Sequence, residues 1–332
     1  MSVAITEPKS PESILDIDCA AEADRIAAAM RGQLRTMKKR GLVLGLSGGI
    51  DSSVCAALAV RALGARNVLA LLMPECDSES DSGRLGRLVA DLLGIGCIEE
   101  DIAPALAALG CYERRDGFIR QVVPRYGAGW RSKVVIADLA SGEGFRLSSL
   151  VVEDPDGNRG THRLPLSVYL GIVAATSMKQ RTRKQIEYFH ADRLNFAVLG
   201  TPNRLEFDQG FFVKNGDGAA DLKPIAHLYK TQVYALAAAL GLPDEILSRP
   251  PTTDTYSLAQ TQEEFYFSMP YAQMDVCLYG LNNGLSSADT AVAAKLSSEQ
   301  VQRVWRDIAS KRKSTAYLHA RPQLAGDVSE VL

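Results

Sequence analysis

Apolar positions along the chain follow two rhythms. Leu42–Leu46, Asn67–Met73, Cys97–Ile102 and Asn195–Leu199 are short, nearly unbroken apolar runs. Runs of that length suit strands buried on both faces of a parallel sheet. Between them, apolar residues recur at helical spacing. Ile26, Met30, Leu34 and Met37 form one stripe of a helix predicted from Cys19 to about Arg40, with Asp18 as its cap. Ser53–Leu63, Gly83–Leu93, Ile172–Ala191, Leu228–Leu240 and Ser297–Arg312 read as further helices. The alternation predicts an α/β fold: an open parallel sheet with helices on both faces and right-handed crossovers. Residues 1–17 read as a flexible tail and 18–332 as one domain. From about 109 to 166 the rhythm breaks. There Phe145–Val152 and His162–Tyr169 flank the turn-rich Glu153–Gly160, which predicts an inserted β-hairpin.

The first strand runs directly into Ser47-Gly-Gly-Ile-Asp-Ser-Ser53. Gly48 and Gly49 let the backbone bend sharply and let a ligand approach its N–H groups. Ser52 or Ser53 can cap the helix that follows, whose N-terminus favours an anion such as phosphate. No Gly-Lys-Ser/Thr follows, so this is not a Walker loop, and the glycine spacing is not a dinucleotide fingerprint. A Gly-Gly pair alone would be an ordinary turn before a helix; the whole heptapeptide after a strand points to phosphate.

That heptapeptide resembles the pyrophosphate loop of the ATP-pyrophosphatase enzymes, which cleave ATP between its α and β phosphates. These include NAD synthases, GMP synthases, asparagine synthetases and several tRNA-modifying enzymes. Downstream stand Gly200-Thr-Pro-Asn-Arg-Leu-Glu206, Gly210–Asp221, Leu222-Lys-Pro224, Leu228–Val233 and Pro251-Thr-Thr-Asp254. In this order they resemble the synthetase domain of the NAD synthases, as do Lys179–Arg183, Gln260–Glu263, Tyr271 and Asp275. The resemblance implies an adenine nucleotide alpha hydrolase-like fold and an ATP-dependent, amide-forming ligase. Such an enzyme adenylylates nicotinate adenine dinucleotide, releases pyrophosphate and transfers ammonia to give NAD.

Residue by residue, the resemblance implies that Gly45, Ser47, Gly48, Gly49, Ser52 and Ser53 hold the ATP phosphates, with Thr201 near the adenylate. It implies Mg²⁺ on Asp51 and Glu206, and catalysis by Asp51, Lys230 and Thr252, with Lys230 also binding ATP and Lys230 and Thr252 stabilising charge on its phosphates during displacement. Arg181, Phe211, Lys214 and Asp221 would surround the acid-bearing end of the substrate. Singly, each has a plainer reading: Asp221 as a helix cap, Lys230 as a solvated helix face, Glu206 as a first-turn dipole partner. The sequence departs from the family at Ser177, usually Asn; at Gln262, usually Asp; and at Thr255-Tyr256, usually aliphatic. The insertion at about 109–166 also has no counterpart in the compact synthetases. These departures lie at the acceptor end and leave open a synthetase for a different carboxylic acid, or a catalytically silent nucleotide-binding relative.

Composition narrows the partners. The 332 residues carry 37 Lys and Arg against 39 Asp and Glu, a formal charge of −2. Nothing in that balance draws nucleic acid or an anionic membrane. No apolar run approaches the ~20 residues of a membrane span, and the N-terminus is not a signal peptide. Six cysteines without a C-x-x-C pair disfavour a zinc ribbon or redox motif and fit the cytoplasm. The few residues before the phosphate loop are too short for a glutaminase domain, so free ammonia or a separate glutaminase is the expected donor. A homodimer is expected from the resemblance, with the Ile26–Met37 stripe as a candidate extension of its interface.

Overall fold

Successive residues of a strand face opposite sides of its sheet, and the sheet at the centre of this chain uses both sides. Leu42 and Leu44 enter one apolar cluster while Val43 enters another. Val68, Ala70 and Leu72 divide in the same way from Leu69 and Leu71. The computed structural model describes residues 14–136, 148–252, 255–261, 266–267, 269–326 and 328. In chain order these form α1 (Cys19–Met37), β1 (Leu42–Gly45), α2 (Ile50–Leu63), β2 (Val68–Leu72), α3 (Ser80–Leu93), β3 (Gly96–Glu99), α4 (Ala103–Ala108) and α5 (Cys111–Arg120). Then come β4 (Arg131–Ile136), β5 (Ser148–Glu153), β6 (Arg159–Arg163), α6 (Leu166–Leu194), β7 (Ala197–Val198) and α7 (Arg204–Gln209). The chain continues with α8 (Lys230–Ala239), α9 (Asp244–Leu247), α10 (Tyr271–Asn282), α11 (Ser287–Ala294) and α12 (Ser298–His319).

The main sheet is parallel in the order β3-β2-β1-β7. Helices α1, α2, α3, α8 and α9 cover one face; α4, α5 and part of α6 cover the other. The open α/β architecture is therefore as the apolar runs predict. Asp18 caps α1, its Oδ1 accepting from the backbone N–H groups of Ala20 and Ala21 at 3.1 and 3.0 Å. The α1 stripe is core: Ile26, Met30 and Leu34 are 1–3% exposed against α2 and α8. It is thus unavailable to a dimer interface. Leu15 and Ile17, in the expected tail, pack against the apolar clusters, while residues 1–13 lie outside the described residues.

The inserted region contains the expected hairpin, β5–β6, and adds a strand to it. It is a three-stranded antiparallel sheet, β4-β5-β6. The hairpin turn closes at Asp154, whose Oδ1 accepts from the N–H groups of Asp156 and Asn158 at 3.0 and 2.8 Å. The second strand ends at Arg163 rather than Tyr169. Pro165, with φ near −58°, stands at the N-cap of α6, and Leu166, Val168 and Tyr169 form its opening turns. That helix thus starts before Ile172, and Leu166 is exposed, not packed. Val134, Leu150, Val152 and Leu164 share a cluster with Val168 and Ile172 of α6. The insertion uses a helix of the main body as one wall of its core. Phe145–Leu147 lie outside the described residues.

Candidate active site

A cavity of about 890 Å³ opens where the main-sheet strands end: Gly45, Leu72, Glu99 and Leu199 all line it. This carboxyl edge is where open α/β sheets bind ligands. The phosphate loop forms one wall. Gly48 supplies the bend with φ +70°, and a Cβ there would sit 2.6 Å from that of Leu85 and 2.9 Å from the Ser82 oxygen. Gly48 is thus required by the close approach of α3 and does not line the cavity. Gly49 takes an ordinary φ of −84° as the N-cap of α2, with no side chain capping the helix. Ser52 and Ser53 do not cap it: their hydroxyls turn back to the Gly49 carbonyl at 3.0 and 2.8 Å. Ser53 is buried away from the cavity, whereas Gly45, Ser47, Gly49, Asp51 and Ser52 line it. The result is an uncapped helix N-terminus edged by hydroxyls, a place suited to phosphate.

Asp51 sits in the first turn of α2 and draws three elements together. Its Oδ1 accepts from Asn203 Nδ2 at 3.1 Å, and its Oδ2 pairs with Lys230 Nζ. Asn203 caps α7 and in a capping box fixes Glu206, whose Oε2 accepts from the Asn203 N–H at 3.1 Å. Burial, then the Asp51 charge, pushes the Glu206 carboxyl up to about 8. Burial alone would lower the Lys230 ammonium, but Asp51 and Glu206 outweigh it and hold it above its ordinary value. Lys230 is fully buried behind Asp51, against the Tyr271 ring, and does not line the cavity. It is neither a solvated helix residue nor, in this arrangement, a direct phosphate ligand. Asp275 holds the start of α8 beneath it, accepting from the N–H groups of Lys230 and Thr231 at 3.2 and 2.8 Å.

Basic and aromatic side chains also line the cavity. Thr201, Thr252, Arg181, Phe211 and Lys214 all line it, with Glu206. Arg181 donates from Nε to the Lys214 carbonyl at 3.2 Å, and Phe211 stacks on Tyr266 at 4.5 Å. Lys214 donates to the Tyr317 carbonyl at 2.7 Å. Asp221 departs from expectation. It lies outside the cavity, with Oδ2 accepting from the Val198 N–H at 2.7 Å and Oδ1 from the Tyr188 hydroxyl at 3.3 Å. It secures the edge strand β7 rather than the substrate.

The family model for NAD synthase matches residues 22–121 and 170–317. The chain belongs to the NAD synthase family. The NH(3)-dependent NAD(+) synthetase of Rhizobium meliloti (strain 1021) is 69% identical over 317 residues, covering 96% of this chain and 95% of the relative. Among solved structures, the NMN synthetase from Francisella tularensis superposes with a TM-score of 0.61 at 23% identity, over 93% of this chain and all of that one. The NH3-dependent NAD synthetase from Campylobacter jejuni superposes with a TM-score of 0.59 at 21% identity, over 93% and 100%. At those identities the two structures establish the fold. Between its two segments the NAD synthase model leaves 122–169, a shorter stretch than the insertion expected at about 109–166.

Around the site lie pairings that no motif reveals. Lys179 is wholly buried, donating to Glu75 Oε1 at 3.0 Å, Asp77 Oδ2 at 2.6 Å and the Thr255 carbonyl at 2.8 Å. Tyr112 donates to Glu75 at 2.9 Å and Arg115 pairs with Asp77. This network ties the loop after β2 to the segment following Thr252. Lys184 pairs with Glu187 at 2.6 Å at the cavity wall, where burial raises the Glu187 carboxyl and that of nearby Asp217. Arg249 also lines the cavity. Its place just before Pro251-Thr252 is the one signal in the sequence that could have flagged it.

Proposed function

We propose that this chain converts nicotinate adenine dinucleotide to NAD at the expense of ATP and ammonia. The observation that carries this is one cavity lined both by the phosphate loop with Asp51 and by Arg181, Phe211 and Lys214. Its membership of the NAD synthase family and its likeness to a curated ammonia-dependent synthetase support the same reading. A carboxylate oxygen of the acid bonds to the α-phosphorus of ATP. The bond from that phosphorus to the bridging oxygen breaks, and its electron pair leaves on pyrophosphate. Ammonia then adds to the acyl carbon, loses a proton, and AMP departs with the electron pair of the acyl–oxygen bond. Ser47, Ser52 and the α2 N–H groups receive the pyrophosphate, Thr252 stabilises charge on the phosphates, and Thr201 serves the adenylate. Arg181 and Lys214 offer cations to the acid or its phosphates.

Mg²⁺ fits this wall. Asp51 and Glu206 are hard oxygen donors, and a cation there would offset the burial and the Asp51 charge that raise the Glu206 carboxyl. Among the described residues no cluster of three His, Cys, Asp or Glu could hold a metal, so phosphate oxygens and water would complete the shell. Bound there, the ion would neutralise phosphate charge. Cys55, Cys111 and Cys277 are buried, with thiols pushed up chiefly by burial. None suits attack on glutamine. Ammonia, free or from a separate glutaminase, is the nitrogen donor of this reading, in line with the NH(3)-dependent relative. Free cysteines fit the cytoplasm, and among the described residues no helix is long and apolar enough to cross a membrane. We further infer a homodimer, supported by the exposed Leu166, Leu170 and Phe189 along α6.

The test is product formation from ATP and a panel of acids, with ammonium or glutamine as nitrogen source. NAD, AMP and pyrophosphate should appear in equal amounts with nicotinate adenine dinucleotide and ammonium, and not with glutamine alone. Amidation of a different acid, without NAD, would overturn the reading.

A further inference from the structure

Lys230 and Arg249 both reach the phosphate loop, and they are placed differently. Lys230 is sealed behind Asp51, away from the cavity. Arg249 stands inside it, with its side chain 14% exposed. Its Nη1 lies 3.4 Å from the Ser47 carbonyl, and its Nη2 donates to Glu79 Oε2 at 2.6 Å and Ser82 Oγ at 2.9 Å. The guanidinium thus bridges the loop that follows β1 and the start of α3, its Ser47 contact falling two residues before Gly49, the N-cap of the uncapped α2. Pro250 and Pro251 follow it and lead to Thr252, and all four residues line the cavity. Prolines fix φ, so the strap carrying this guanidinium and the Thr252 hydroxyl is stiff. Glu79, also a lining residue, holds the fork in position without filling all of its five N–H donors.

We propose that Arg249 is a catalytic residue of the adenylylation step, its guanidinium binding the non-bridging oxygens of the pyrophosphate as it leaves; this rests on the reading that ATP is cleaved in this cavity. A planar fork matches phosphate oxygens in pairs, which an ammonium cannot do. As the bond between the α-phosphorus and the bridging oxygen breaks, negative charge grows on the β-phosphate, facing Ser47 and Arg249. A donor already aimed at that charge stabilises the transition state more than the ground state. Glu79 keeps the fork neutralised and oriented until phosphate arrives.

The experiment compares wild type, R249A and R249K in three measurements: pyrophosphate binding by calorimetry, AMP binding by the same method, and steady-state turnover. R249A should bind pyrophosphate at least about tenfold more weakly, the weight of a lost hydrogen bond to a charged group. AMP binding should change less than about twofold, and turnover should fall by about a hundredfold. Added guanidinium ion should restore part of the R249A rate. R249K keeps a cation beside Glu79 and loses only the fork; it should melt as wild type does and still turn over about tenfold more slowly. If R249A does not fold, R249K carries the test alone. Wild-type pyrophosphate affinity and turnover in either folded variant would overturn the proposal while leaving the proposed function standing. Equal weakening of AMP and pyrophosphate, without guanidinium rescue, would reduce Arg249 to a structural tie. A wild type that makes no NAD but binds pyrophosphate through Arg249 would overturn only the choice of acid.

Discussion

Asp51 accepts from Asn203 on one oxygen and pairs with Lys230 on the other, so α2, α7 and α8 meet at one carboxylate. Asp51→Asn keeps the shape and removes the charge. It should cut pyrophosphate release by about a hundredfold, the usual weight of about 3 kcal/mol for one lost transition-state partner. Circular dichroism should show the variant folded, and unchanged turnover at saturating Mg²⁺ would leave Asp51 as a turn residue only. At this scale the sequence marks residues whose chemistry sits inside a contiguous motif: Ser47, Asp51, Glu206 and Thr252 all reach the site. It does not tell which neighbour of a motif faces inward. Ser53 and Gly48 belong to the loop yet serve packing, and Asp221 binds the backbone of β7. Lys179 is visible as part of a basic segment, but Glu75, Asp77 and the Thr255 carbonyl, its partners, are distant in the chain.

Helix α8 begins on a buried carboxylate, that of Asp275, which desolvation pushes up to about 6 from 3.8. The unfolded chain loses this proton near pH 4 and the folded chain only near 6. Between those values the folded state binds more protons, so its stability falls as pH rises and levels off above about 6. Against Asp275→Asn, which cannot titrate, wild type should lose about 3 kcal/mol of relative stability over that window. Urea unfolding of the pair from pH 4 to 7 checks this, and a flat difference would contradict it. The strands of the main sheet are legible because both faces are buried and their apolar runs are continuous. β4 is not, since Arg131 is exposed while Ser132 and Val134 are buried, leaving little apolar run to read. The start of α6 is hidden because Val168 and Tyr169 favour strands, and Pro165 with the docked insertion decides otherwise.

That insertion touches the site through β4. Ser132 N–H donates to Ser257 Oγ at 2.8 Å, and Leu258 N–H to the Ser132 carbonyl at 3.2 Å. This braces the segment of Thr255 and Tyr256, which line the cavity. Replacing 131–163 by a short linker should raise the Michaelis constant for the acid several-fold and that for ATP much less. Val168 and Ile172 would be uncovered, costing about 2 kcal/mol each, so the comparison belongs at low temperature. Equal effects on both constants would return the insertion to a structural role.

Across the whole molecule, the carboxyl edge of a four-stranded sheet, an added helical cluster and the insertion border one cavity lined by the phosphate loop and by basic and aromatic side chains. Family order in the motifs made that lining legible; the outline of the acceptor end was not, because it depends on how β4 and α6 pack. The exposed Leu170 and Phe189 of α6 lead us to expect a dimer burying roughly 2,000 Å². Sedimentation should give twice the chain mass for wild type and a lighter species for Leu170→Asp with Phe189→Asp; a concentration-independent monomer would refute it. The central claim is that ATP is cleaved at its α-phosphorus by the carboxylate of the acid. Nicotinate adenine dinucleotide labelled with ¹⁸O in both carboxylate oxygens, turned over with ATP and ammonium, tests it by mass spectrometry of the products. The account predicts one ¹⁸O in AMP, one retained in the NAD amide and none in pyrophosphate. Label in inorganic phosphate alongside ADP, or unlabelled AMP, would contradict it.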